Sequence, residues 1–199
     1  MTDPHFFGYG SLVNLTTHDY APARPAILHG WRRVWRTTDR RRAAFLTAVP
    51  APGHAVEGMI APVPGADWQA LDTREAGYDR LPAPRVDHGL RADTTIAVYA
   101  IPAHHALPGP ARPVLLSYLD VVVQGYARQF GAEGVARFFA TTDGWGAVAD
   151  DRAAPLYPRA RRLDPAETAL VDTHLAALGV PCVAPEDAGL ADGLRRPAP

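Results

Sequence analysis

Hydrophobic and polar positions change period several times along the chain, and each change predicts an element. Phe6 and Phe7 begin a short apolar run at 5–9 that reads as a first strand. It leads into Gly8-Tyr9-Gly10-Ser11-Leu12, where the glycines predict a sharp turn through positive φ at Gly8 or Gly10. Residues 13–25 are polar and proline-bearing and read as loop with one helical turn. Residues 26–36, rich in Trp, Val and Ile, read as a strand, and Ala43 to Val49 as its neighbour across a hairpin tip at Thr37 to Arg42. Pro50-Ala51-Pro52-Gly53 predicts a turn, followed by another strand from Ala55 to Val63.

At Pro64 the period lengthens. Pro64-Gly65-Ala66-Asp67 predicts a helix that runs to Ala76, with Trp68, Leu71 and Glu75 on one stripe and Arg74 on a different face. Gly77-Tyr78-Asp79-Arg80 closes it. Arg85 to Leu90 and Thr94 to Ile101 read as strands. Pro113 opens the longest helix, from Val114 to Phe130. Leu115, Tyr118, Leu119, Val122 and Tyr126 form its apolar stripe, and Ser117, Asp120, Gln124 and Arg128 its wet face. Gly131 stops it, and Ala132 to Thr141 is a second helical segment. Gly144 to Arg162 is irregular. Asp164-Pro165-Ala166-Glu167 is a capped helix start, and that helix runs to Leu178 before Gly179. The tail from Pro181 to Pro199 predicts poor order. There is no internal repeat, so the pattern gives one β-rich core with flanking helices at 1–144 and a C-terminal extension at 145–199.

Composition narrows the chemistry. The chain has 199 residues, with a hydrophobic fraction of 47% and a net charge of −1, ordinary for a soluble domain and without a field that favours nucleic acid or an anionic membrane. Its 20 basic residues are all arginine, which excludes a catalytic lysine. Cys182 is the sole cysteine, so no intrachain disulfide and no cysteine-based zinc site is possible. No stretch approaches the length of a membrane span, and a cytoplasmic address is expected.

Four features carry candidate chemistry. Main-chain N–H groups of the glycine turn can converge on a carbonyl oxygen or an anion; otherwise the turn simply ends a strand. Glu75, on an apolar stripe, is either salt-bridged or left with a raised pKa, fit to carry a proton. Tyr118 faces inward and needs a hydroxyl partner, which a backbone carbonyl could equally supply. Arg32, Arg33, Arg36, Arg40, Arg41 and Arg42 form a solvated face and tip, or one of them turns inward as a carboxylate clamp. His104-His105 lacks a third ligand nearby and reads as surface loop. Ser11 lacks the G-x-S-x-G elbow of a nucleophile.

In order along the chain, Phe6-Phe7-Gly8-Tyr9-Gly10-Ser11-Leu12, Arg74-Glu75-Ala76-Gly77-Tyr78 and Ser117-Tyr118-Leu119 with Gly125 resemble the gamma-glutamylcyclotransferase family. The "FGYGSL" and "REAGY" forms are most similar to its bacterial and ChaC-like branches. The resemblance covers about Phe6 to Phe130. It implies an α+β fold, a small mixed, barrel-like β-sheet with flanking helices. It implies a cofactor-independent, metal-free lyase or acyl transferase that forms 5-oxoproline from a small γ-glutamyl compound, such as a γ-glutamyl amino acid, glutathione or a lysine-linked unit. Glu75 is then the general acid/base. Tyr9, Gly10, Ser11, Leu12 and Tyr118 bind substrate, and Tyr78 is a second pocket tyrosine. A monomer or homodimer, with no nucleic-acid or membrane partner, is expected. A non-catalytic small-molecule binding domain on the same fold is the alternative.

Overall fold

A computed structural model describes residues 3–191. The strands in chain order are β1 (His5–Gly8), β2 (Arg24–Arg36), β3 (Phe45–Pro62), β4 (Asp79–Pro82), β5 (Val86–Asp87), β6 (Ile96–Ala100), β7 (Val114–Leu115), β8 (Thr142–Asp143), β9 (Val148–Ala149) and β10 (Cys182–Val183). The helices are α1 (Gln69–Arg74), α2 (Leu116–Ala140) and α3 (Pro165–Leu178). A curled, half-barrel sheet of order β4-β6-β1-β3-β2-β5, with β8 added to β2, forms the body, and β10-β9-β7 make a second small sheet. The expected α+β class is the observed one.

β1 lies inside the main sheet, antiparallel to β3 and parallel to β6. Its side chains alternate between the two sheet faces. Phe7 joins the larger core against α2 and α3, while Phe6 joins a smaller cluster with Leu12, Leu71 and Tyr99 beneath α1. The chain therefore leaves β1 at the seam between two cores, and there the cavity forms.

The turn expected at Pro50-Ala51-Pro52-Gly53 does not separate two strands. β3 runs unbroken, and both halves pair with β2: His29 faces Ala55, and Trp31 faces Pro50. Residues 51–54 bulge opposite Gly30, so the proline-rich segment kinks the strand without reversing it. The helix expected from Pro64 to Ala76 is also shorter. A 3-10 turn at Pro64–Ala66 ends with Gly65 and Ala66 at φ 60° and 56°, and α1 spans only Gln69–Arg74. Of the Gly77-Tyr78-Asp79-Arg80 stretch read as closing the helix, Asp79 and Arg80 already belong to strand β4 against β6.

Gly131, at φ 66° and ψ −172°, splits α2 as expected. Of the wet face expected on that helix, only Arg128 is exposed. Ser117, Asp120 and Gln124 are all buried. The polar positions were read correctly as one face, but the chain's own later residues cover it. Asp151 accepts from the Ser117 N–H and hydroxyl at 2.7 and 2.5 Å, placing a carboxylate at the helix N-terminus. Arg152 makes a two-pronged bond to Asp120, both contacts at 2.8 Å. Gln124 Nε2 donates to Glu167 at 2.7 Å. Asp164 caps α3 with the reciprocal Glu167 bond, and Val171 and Leu175 enter the main core. Part of the tail expected to be poorly ordered is built into the fold: β10 pairs with β9, and Leu190 is buried. Residues 192–199 lie outside the described residues. Among the described residues no helix is long and apolar enough to cross a membrane.

Gly125 is where the segment after β1 meets α2. A Cβ there would lie 2.7 Å from the Asn14 backbone nitrogen, while Asn14 Nδ2 donates to the Val121 carbonyl and to Gln124 Oε1, each at 2.9 Å. Gly125→Val forces these backbones apart and is expected to lower the unfolding free energy by about 1–3 kcal/mol, read as a shift of the urea midpoint at unchanged m-value.

Candidate active site

The cavity is assembled from the turn after β1, the end of α1, the start of α2 and the β2–β3 hairpin. An inner recess of about 30 Å³ is walled by the Gly8–Leu12 turn, Leu46, Glu75, Tyr78 and Tyr118. It opens into an outer cleft of about 110 Å³ that Arg41, Arg74, Tyr157 and Arg159 also line. The expected residues Tyr9, Gly10, Ser11, Leu12, Glu75, Tyr78 and Tyr118 all border the recess.

The turn works differently from the expectation. Neither Gly8 nor Gly10 is at positive φ; Gly10 stands at φ −120° and ψ −129°, outside the usual wells of an L-residue. The need for glycine is also steric, since a Cβ on Gly10 would lie 2.7 Å from the Tyr118 hydroxyl. After it, Val13 N–H bonds the Gly10 carbonyl and begins a 3-10 turn at Ser11–Val13. The Ser11 and Leu12 N–H groups precede that first bond, so the helix leaves them without an internal acceptor. Ser11 and Tyr118 border the same recess. The Tyr9 carbonyl is turned the opposite way, 3.1 Å from the Tyr126 hydroxyl, whose single proton it shares with the Glu57 carbonyl at 2.7 Å. Because C=O and N–H of one planar peptide point in opposite directions, that bond turns the Gly10 N–H away from Tyr126.

Arg33 anchors this arrangement from behind. One arginine of the β2 group does turn inward, and it is this one, 1% exposed. It takes a structural post, not a place in the cavity. Its Nη1 donates to the Tyr126 hydroxyl at 2.6 Å, its other nitrogens reach Thr142 and Thr141, and its guanidinium lies over the Phe138 ring at 4.9 Å. Neutral acceptors and aromatic faces replace the water it lost.

Glu75 is the residue just past α1, not part of it. Its side chain is 16% exposed, and burial raises its pKa although Arg74 and Arg159 oppose the shift. Both fates foreseen for this carboxylate thus coexist. It touches Arg74 Nε at 3.2 Å, yet desolvation outweighs the attraction. Arg74, expected on another face, is a correction. With α1 ending at Arg74, the two neighbours straddle the helix end and both turn to the cavity. Arg74 also ties the turn to α1, donating to the Thr17 carbonyl at 2.7 Å, to Thr17 Oγ1 at 3.0 Å and to Ser11 Oγ at 3.3 Å.

The tyrosines are fixed donors. Burial pushes the phenols of Tyr9, Tyr78 and Tyr118 up, so all three keep their protons near neutrality. Tyr78 donates to the Leu46 carbonyl at 2.9 Å, and Tyr9 to the Tyr99 carbonyl at 2.5 Å. Tyr118 stacks edge-on against Trp35 and Tyr157. Sequence reasoning missed Tyr157 and Arg159 because they come from the irregular stretch after Gly144. Their only signal was an aromatic and a cation amid prolines. His104 and His105 lie away from the cavity, on the hairpin side, where His105 meets Arg40 and Asp39. No cluster of metal-ligating side chains occurs among the described residues.

Residues 6–116 match the family described as gamma-glutamyl cyclotransferase, AIG2-like. None of the curated proteins matches the chain. Among solved structures, a gamma-glutamyl cyclotransferase superposes with a TM-score of 0.56 at 14% identity, over 86% of this chain and 99% of that one. YkqA from Bacillus subtilis gives 0.53 at 17% identity, over 72% of this chain and 57% of its own length. An uncharacterized protein from Homo sapiens gives 0.51 at 14% identity, over 86% and 99%. At such identities these likenesses establish the fold.

The raised pKa of Glu75 has a thermodynamic sign. Between the ordinary carboxylate value and the raised one, the folded state holds a proton that the unfolded state has released, so stability falls as pH rises through that window. Glu75→Gln lacks this loss. Its melting temperature is expected to exceed that of the wild type at neutral pH and to converge with it as the pH drops below the ordinary carboxylate range, measured by calorimetry across pH.

Proposed function

Since the chain belongs to the gamma-glutamyl cyclotransferase, AIG2-like family, we propose that it cyclises a small γ-glutamyl compound to 5-oxoproline and releases the attached amine. The observation that carries this reading is one buried carboxylate of raised pKa, Glu75, sharing a recess with the Gly10–Leu12 turn. The narrower likeness to bacterial and ChaC-like members rests on the "FGYGSL" and "REAGY" stretches.

The chemistry follows from the groups present. The α-amine of the substrate arrives as an ammonium and must lose a proton before it attacks. Glu75, less acidic than a surface carboxylate, is matched to take it. Attack on the γ-carbonyl forms the ring C–N bond and puts negative charge on oxygen. The Tyr118 hydroxyl, kept protonated by burial, donates to that oxyanion alongside the turn's main-chain N–H groups. Collapse breaks the bond to the released nitrogen, and Glu75 returns the proton there. On the way from ammonium to lactam the attacking nitrogen loses two protons, and a nitrogen departing as ammonium gains two. A single carboxyl cycling between its states balances the reaction. The recess, about 30 Å³, favours a folded glutamyl unit with amine and carbonyl already close.

Purified protein is expected to release 5-oxoproline from at least one member of a panel of γ-glutamyl amino acids, peptides and amines, followed by chromatography. Glu75→Gln is expected to slow this at least ~10²-fold with intact binding. Binding of γ-glutamyl compounds without any 5-oxoproline from the wild type would make the protein a binding domain and overturn the proposal.

Two further outcomes separate the roles. Tyr118→Phe is expected to lower kcat by about 10²-fold with little change in KM, as for loss of one oxyanion donor. The acid limb of kcat/KM, where activity falls as Glu75 gains its proton, is expected above the ordinary carboxylate range and absent from the residual activity of Glu75→Gln.

A further inference from the structure

The outer cleft holds more positive charge than the proposed reaction uses. Arg41, Arg74 and Arg159 line it with one carboxylate, Glu75. Arg74 is committed to Glu75, Thr17 and Ser11. Arg41 and Arg159 are not ion-paired to any acid side chain among the described residues; Arg41 rests over the Phe45 ring at 5.2 Å, and Arg159 is felt electrostatically by Glu75. Two guanidinium groups thus converge on one cleft with charge to spare, an arrangement matched to a carboxylate.

Arg159 is held there by a built loop. Asp151, itself buried, accepts from Ser117 and from the Leu156 N–H at 2.9 Å. Tyr157 N–H reaches Ser117 Oγ at 3.3 Å, and its ring packs edge-on against Tyr118 with centroids 4.9 Å apart. This loop lies beyond residues 6–116, the part of the chain that matches the family. The arginine is thus supplied by this chain's own C-terminal segment.

Resting on the reading above, we propose that Arg159, with Arg41 in the same cleft, binds a carboxylate on the released part of the substrate, so that the enzyme prefers γ-glutamyl amino acids or peptides over γ-glutamyl amines. The choice between the two ends of the substrate follows from the cyclisation. The glutamyl unit must fold so that its amine meets its own γ-carbonyl in the recess. Its α-carboxylate is one carbon from that amine and stays beside Glu75 and Arg74. What extends outward, to Arg41 and Arg159, is the group that leaves.

The test compares γ-glutamyl-alanine with γ-glutamyl-ethylamine, which share the glutamyl unit and differ by the released carboxylate. The wild type is expected to favour γ-glutamyl-alanine by at least ~10-fold in kcat/KM, mostly through KM, and Arg159→Gln to narrow that ratio by about 10-fold. Circular dichroism checks the fold of the variant. Should it fail to fold, raising the ionic strength on the wild type provides a second measurement and is expected to narrow the same ratio. An equal ratio for both substrates in the wild type overturns the inference. So does an Arg159→Gln defect of the same size on both, which would assign the arginine to the glutamyl end. In either case the cyclisation reading survives, because 5-oxoproline is still formed. Absence of 5-oxoproline from every γ-glutamyl compound tried overturns the reaction and this inference with it.

Discussion

The arrangement depends on two backbones approaching more closely than side chains allow. The segment after β1 lies directly against α2, with Gly125 admitting Asn14 and Gly10 admitting the Tyr118 hydroxyl. A methyl group at either place would meet atoms at 2.7 Å, closer than packed carbons tolerate. Because the contact is so tight, the turn and the phenol of Tyr118 border one recess rather than two faces of a loosely packed interface. Tyr126 completes the constraint. Its hydroxyl holds the Tyr9 carbonyl on the core side, and Arg33 holds Tyr126. A cation buried without a carboxylate is costly, and here that cost is offset by neutral hydrogen bonds and ring faces while it fixes the peptide plane next to the cavity.

Glu75 is held in tension by the same geometry. Arg74 and the neighbouring Arg159 favour its charge, while burial opposes it more strongly. A carboxylate with no cation nearby would remain protonated and be a poor base. One fully paired and hydrated would be too acidic to take a proton from an ammonium. The end of α1 produces the intermediate state. By stopping at Arg74, the helix lets both residues turn toward the recess, and Arg74 divides its donors among Glu75, Thr17 and Ser11. The arginine that moderates the carboxylate is therefore the one that ties down the turn, which couples the position of Glu75 to that of the turn.

Much of this was legible in the chain because it rests on local rules. The strand pattern of Phe6-Phe7, the capping box of Asp164 and Glu167, the break at Gly131 and the inward stripe of α2 are all short-range statements, and each is present in the fold. The seven expected site residues do border one recess, although the residue periodicity alone left each with an ordinary structural explanation. What sequence reasoning misplaced came from long-range pairing. Pro50 to Gly53 carry every mark of a turn, yet both flanks pair with the same strand, so register overrides the turn signal. Arg74 and Glu75 were expected on different faces because the helix was expected to run to Ala76; it stops at Arg74, so Glu75 leaves the helical spacing and both turn to the cavity. The glycine turn was expected to need left-handed φ, whereas it needs the absence of a side chain.

The largest departure concerns the helix face formed by Ser117, Asp120 and Gln124. A polar stripe on an amphipathic helix ordinarily meets water. Here each member has a dedicated partner from beyond residue 150: Asp151, Arg152 and Glu167 respectively. Such partners are separated by too much sequence for any periodicity to reveal them. Yet the pairing has a chemical consequence. Once a polar stripe must be satisfied, the covering segment is locked in register with the helix, and whatever that segment carries next is placed with the same accuracy. Tyr157 and Arg159 follow directly after the residues that bind Ser117, so the bonds that bury the stripe also deliver an aromatic wall and a cation to the cleft beside Tyr118. The polar face of α2 is thereby part of the site's construction, joining the segment beyond residue 150 to the recess that Glu75 and Tyr118 border.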